Sequence, residues 1–359
     1  MFSGSYLPED VLFLLKPIDI AQTEIGEREK IRQVQSKHYS EMLPKEFLPS
    51  RAYQEAFYHT VTRNKQKLAR HIVALAQQLN KKKDLVLVSL ARAGIPIGVL
   101  LKRTLRERFQ REVPHYTISI ILERGIDENA LRYILSQQDK QGKDIVFIDG
   151  WTGKGNIARE LKKRVIHFNQ QYHTQISPDL YVITDISGFA AVAVTTEDYV
   201  IPSALLNATI SGLISRTVLN STHISATDFH GCKFYTEFRD ADLSLWYVEE
   251  LMTEIRTVKE SDSCATVNRT QLQNMSKTFI EQLMITFQIK ERQFIKPGIG
   301  EAIRVLLRRV AHKILVKNIH SPEILPFLVL AEEKQITIEE MRTMPYQAVA
   351  IVSTLNSTV

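Results

Sequence analysis

Cysteine is nearly absent from this 359-residue chain: Cys232 and Cys264 are its two thiols, and no C-x-x-C pair occurs. Two isolated thiols support neither a disulfide framework nor a zinc site. No apolar run approaches the roughly eighteen residues that a membrane helix needs. The N-terminus Met1-Phe2-Ser3-Gly4-Ser5 lacks the basic stretch of a secretory signal. A cytoplasmic chain with no membrane partner is therefore expected. Two common phosphate-loop spacings are missing as well. Gly150 stands two residues from Gly153-Lys154 where a Walker loop requires four, and the dinucleotide pattern G-x-G-x-x-G does not occur.

What is present suits a multidomain α/β protein. The length fits two domains, and 44% hydrophobic residues supply real cores. A net charge of +6 and a pI near 9.1 point towards phosphate-bearing partners. Apolar runs at about 84–90, 115–122, 144–149 and 179–185 alternate with helical periodicity, which predicts a parallel sheet. The first eighty residues read as mostly helical. A polar, aperiodic stretch at 257–270 marks a boundary, giving a domain over 1–260, a linker and helix over 261–298, and a small α/β unit over 299–359.

The segment 144–156 carries the strongest chemical signal. Its apolar run ends on Asp149 and leads through Gly150, Trp151, Thr152, Gly153, Lys154 and Gly155 into a helix that begins near Asn156. Glycine amides and a helix N-terminus form an anion nest, to which Thr152 adds a hydroxyl and Lys154 a cation. Asp149 would face a polar neighbour such as a ribose hydroxyl. The alternative is a tight strand-to-helix turn without a ligand. One βαβ unit upstream, Leu85–Gly98 repeats the arrangement. Its loop Ala91, Arg92, Ala93, Gly94 offers Arg92 to a pyrophosphate, although loop arginines are commonly solvated. Between the two, Arg124 and Asp127 lie in a charged, glycine-bearing loop that is either a lid or a surface connection. Asp185–Gly188 and Asp198–Ser203 follow later apolar runs and read as acceptor-pocket walls or as simple turns. Near the C-terminus, residues 301–320 hold five basic residues against Glu301 alone, while 321–359 hold five acids against Lys334 and Arg342. Arg304, Arg308, Arg309 and Lys313 thus form a candidate RNA-binding patch, or a solvated face.

The 144–156 segment resembles the sugar-phosphate loop of type I phosphoribosyltransferases, except that Gly150 replaces a second acid. Taken together, Phe2–Val11, Thr23–Glu29, Val88–Gly94, Asp149–Gly155 and Leu213–Thr217 resemble the StiP family, phosphoribosyltransferase-like bacterial proteins of tellurite-resistance and stress-response systems. The part from Arg304–Val310 through Met344-Pro345-Tyr346 resembles a PELOTA-type RNA-binding module. The resemblance implies a type I phosphoribosyltransferase-like parallel sheet with flanking helices and a small C-terminal α/β module. It also implies transfer of ribose from phosphoribosyl pyrophosphate to an unknown base-like acceptor. Magnesium would then ride on substrate oxygens and water, with no direct protein ligand. A homodimer is the expected assembly if the chain self-associates. A non-catalytic nucleotide- or RNA-binding protein is the alternative. A cysteine-protease label is also attached to the family, but a nucleophilic thiol needs an adjacent base, and Cys232, with His230 two residues away, is read as a buried thiol.

Overall fold

The computed structural model describes residues 1–24, 38–138, 141–260 and 262–352. Residues 25–29 of the Thr23–Glu29 motif and the end of the C-terminal unit beyond 352 lie outside them.

Short apolar runs, each closed by a glycine or polar turn, build a central sheet. In chain order its elements are β1 (Leu12–Phe13), α1 (Arg51–Asn80), β2 (Val86–Leu90), α2 (Gly94–Phe109), β3 (His115–Ile118), α3 (Glu128–Gln137), β4 (Ile145–Ile148), β5 (Trp151–Thr152), α4 (Asn156–Tyr172), β6 (Leu180–Asp185), β7 (Val192–Thr195) and α5 (Ser244–Thr257). The strands lie in the order β1-β3-β2-β4-β6, with β5 and β7 also paired to β6, and every pairing is parallel. Parallel strands must be covered on both faces, and the period-two alternation shows how. Val86, Val88, Phe147 and Val182 pack with α3 and α4, while Leu87, Val146, Ile148 and Ile183 pack with α1, α2 and α5. Each fully buried aliphatic side chain contributes roughly 1.5–3 kcal/mol relative to exposure.

Side-chain caps mark the starts of α1 and α3. The Ser50 hydroxyl accepts from Tyr53 N–H to open α1, and Asp127 Oδ1 accepts from Ala130 N–H to open α3. Among the described residues, the expected helical character of the first eighty is found in Arg51–Asn80. Before it come short extended pieces such as Lys16–Pro17 and Leu43–Pro44, where proline removes an amide donor that a helix would need.

The C-terminal unit consists of α6 (Arg269–Thr286), β8 (Ile295–Pro297), α7 (Ile299–Arg308), β9 (Ala311–Val316), α8 (Leu325–Lys334), β10 (Ile338–Glu340) and β11 (Ala348–Val352). Its four strands lie in the order β8-β11-β9-β10, with β11 antiparallel to both neighbours. Phe279, Ile280 and Leu283 of α6 cover one face of this sheet, so the helix assigned by sequence to a linker is part of the module. Ile303 and Leu306 of α7 and Phe327 of α8 cover the other face and join the core of the larger domain. The whole is an α/β protein with a large parallel sheet flanked by helices. Among the described residues no helix is long and apolar enough to cross a membrane.

Candidate functional site

The strand expected to stop at Asp149 runs on. Asp149 N–H donates to Tyr181 C=O at 3.1 Å, Gly150 C=O accepts from Ile183 N–H at 3.1 Å, and Trp151 and Thr152 pair with Thr184 and Asp185. The backbone at Asp149–Gly150 is thus committed to the sheet, and the anion nest contracts to Gly153–Asn156. Thr152 is also spoken for, since its hydroxyl donates to Asp185 Oδ1 at 2.5 Å, and Asp185 further accepts from the amides of Ser187, Gly188 and Ala190. Gly155 caps α4 at φ 70°, where a β-carbon would collide with the Phe189 ring. Asp149, Thr152, Gly153, Lys154, Gly155 and Asn156 still line one cavity, joined there by Lys296, Glu301 and Arg304 of the module. Burial raises Asp149 to about 7, opposed by the nearby Arg304 charge. Burial lowers Lys154 to about 7, and Lys296 adds to the effect; the ammonium donates to Arg292 C=O at 2.7 Å.

The other sequence candidates have structural partners. Ala91, Arg92, Ala93 and Gly94 do follow the carboxyl end of β2, but Arg92 turns inward. It donates to Glu46 Oε1 at 2.7 Å, to Ile214 C=O at 2.7 Å and to Asn207 Oδ1 at 3.3 Å. Arg124 pairs with Glu41 at 3.0 Å. Asp127, besides capping α3, accepts from His230 N–H at 2.6 Å, which ties it into the core. Arg304 lies over the Trp151 ring at 4.2 Å, and Arg308 Nε donates to Asn207 Oδ1 at 2.6 Å. Both therefore face the larger domain. Arg309 follows the end of α7, and Lys313 pairs with Glu339 at 2.8 Å.

These contacts belong to a docking surface that sequence reasoning missed. Trp151 Nε1 donates to Glu301 Oε1 at 3.2 Å, and Gly300 lies so near the indole that a β-carbon would stand 2.9 Å from it. Asp198, read from sequence as a pocket wall or turn, accepts from Ile299 N–H at 2.9 Å and Gln347 N–H at 2.7 Å, and burial raises it to about 6. Glu323 of the module accepts from Val200 N–H at 3.0 Å and pairs with Arg63 at 3.1 Å. The partners lie 101 to 260 positions apart in the chain, and no local pattern announces them.

The two thiols differ in access. Cys232 is fully buried, and desolvation pushes it up to about 12, against which only the Arg92 charge acts. The carbonyls of His230 and Cys232 accept from Lys16 and Ile18 N–H at 3.0 and 2.9 Å, as in an extended ladder, so their side chains share a face. The His230 ring bonds through Nδ1 to Ser119 Oγ at 2.8 Å, and burial lowers its pKa. Cys264 is half-buried, and its pKa is raised for the same reason.

A family model described as tellurite-like stress resistance cysteine protease StiP matches residues 4–252. This chain belongs to the StiP family. A PELOTA RNA binding domain model matches residues 274–354. Cysteine protease StiP of Acinetobacter baylyi is 35% identical over 369 residues, covering 99% of this chain and 95% of that protein. A Bacillus subtilis structure described as a phosphosugar isomerase candidate overlaps 76% of this chain and 81% of its own at 10% identity, with a TM-score of 0.20, too low to carry an argument. The family model and the full-length relative are both named for cysteine proteolysis, which overturns the expected phosphoribosyltransferase activity. The geometry offers physical reasons for the correction. Gly150 gives no second acid, Thr152 is held by Asp185, and Arg92 is buried against Glu46 rather than presented to a pyrophosphate.

Proposed function

We propose that this chain is a stress-resistance protease that cleaves peptide bonds with a cysteine thiol, and that Cys232 is the nucleophile. The supporting observation is positional. The matched family model, named for a cysteine protease, spans residues 4–252, and Cys232 is the one of the chain's two cysteines within it. Thiolates, not thiols, attack carbonyls. Here the thiol is sealed in the core and its protonated form is favoured, so this conformation is a resting one and activity requires the cover over Cys232 to open. His230, on the same face, is the base in this reading. It takes the thiol proton as Sγ bonds to the scissile carbonyl and returns it to the departing amine, and water then releases the acyl group.

The test is hydrolysis of a denatured protein substrate by the purified full chain. Cys232→Ala should abolish it by more than about a thousandfold, and Cys264→Ala should leave it intact. Undiminished hydrolysis by Cys232→Ala rejects the assignment.

A second reading concerns the module, because the PELOTA RNA binding domain match supports RNA as its partner. In the docked state Arg304 and Arg308 rest against the larger domain, so RNA would reach all of Arg304, Arg308, Arg309 and Lys313 only after the module lifts.

A further inference from the structure

The cavity between the 149–158 segment and the module is built like an anion site made by two units. The larger domain supplies Gly153, Lys154 and the first turn of α4, whose opening amides have no helical carbonyl to bond. Lys296 and Arg304 come from the module. Arg304 Nε is shut off from solvent and has no hydrogen-bond partner among the described residues, while the guanidinium lies against Trp151. An unpaired buried donor on a cation is costly unless a ligand meets it. Asp149 and Glu301 face these three cations, and Glu301 already accepts from the indole. The cavity, partly open to solvent, has about 110 Å³ of free space, ample for a tetrahedral anion.

We propose that this cavity binds the terminal phosphate of a small phosphomonoester, held by Lys154 and the α4 N-terminus on one side and by Arg304 and Lys296 on the other. Such a ligand fastens the module onto the larger domain, because each unit supplies half of its contacts. The site is independent of the thiol chemistry proposed above.

Calorimetric titration of the full-length chain with inorganic phosphate, glycerol 3-phosphate and adenosine 5′-monophosphate tests this. Each should bind and raise the thermal midpoint. Lys154 and Asp149 both titrate near neutrality, and an anion favours their protonated forms. Binding at pH 7.5 should therefore take up protons, seen as a binding enthalpy that changes with the ionisation heat of the buffer. Arg304→Gln should weaken binding by about tenfold or more, as expected for a lost charge-assisted bond. Lys154→Gln, on the larger domain, should do the same. Cys232→Ala should bind like wild type, which keeps this test separate from that of the protease. Unchanged affinity in both cation variants overturns the proposal. So does a strong preference for a 5′-phosphorylated RNA oligonucleotide over the mononucleotide, which would make the cavity a seat for an RNA end.

Discussion

Arg92 shows what a single residue can conceal. In sequence it is a basic residue in a small-residue loop after a strand, the position from which a guanidinium reaches a phosphate. Its partner Glu46 lies 46 positions upstream, and both are nearly inaccessible, at 7% and 8% exposure. No local pattern predicts that pairing, whereas the strand before it was legible because Leu85–Val88 is an uninterrupted apolar run. Removing one member of a buried pair strands the other charge. Arg92→Ala should therefore lower unfolding stability by roughly 3–5 kcal/mol, measured by urea denaturation, while Arg92→Met with Glu46→Leu should recover most of the loss. The cysteines allow a second check at this scale. Because Cys232 is fully buried and Cys264 half-buried, an aromatic disulfide reagent should modify Cys264 first in the native chain and both at one rate in denaturant. Equal native rates would show that Cys232 is already open.

At the scale of elements, strands and helix faces were readable and their continuation was not. The sequence repeat of α4 predicts an apolar face at Ile157, Leu161, Val165 and Phe168; the last three and Ala158 are buried, since a helical repeat fixes which side faces the sheet. The extension of β4 through Gly150 into β5 depends on strand β6, thirty residues later, and so was invisible locally. Asp198 is a comparable case, because the two amides it accepts belong to α7 and the strand lead-in at Gln347. Burial raises it from an ordinary value near 3.8 to about 6. Between those values the folded chain holds a proton that the unfolded chain has released, so this group's contribution to stability falls as pH rises from 3.8 through 6, and is level above. Asp198→Asn removes that slope. The difference in urea midpoint between wild type and Asp198→Asn should therefore change between pH 4 and 6 and stay constant from pH 7 to 8. A constant difference across the whole range would mean that Asp198 is not protonated in the docked state.

For the whole molecule, the decisive feature is that the arginines expected to meet RNA are spent on holding two units together. A charge count over 301–320 sees five basic residues and one acid, but it cannot see that Arg304 stacks on Trp151 and Arg308 bonds Asn207. Phosphate contacts release counterions, so each basic side chain that reaches RNA steepens the salt dependence of binding by about 0.7–0.9. The docked chain should then bind structured RNA with a shallow slope, from the half-buried Arg309 and Lys313 and from exposed cations. Gly300→Val is the lever. Its β-carbon would stand 2.9 Å from Trp151, and a valine inside a helix costs well under about 1 kcal/mol in propensity, so the main effect is to wedge the module off the indole. If Arg304 and Arg308 serve RNA, the full-length variant should bind more tightly than wild type, with a slope steeper by about 1.4–1.8, and Arg308→Ala in that background should return about half of the gain. If the variant undocks, seen as faster proteolysis within 257–268, and still binds with the wild-type slope, then the module meets RNA through another face and these arginines serve only the junction.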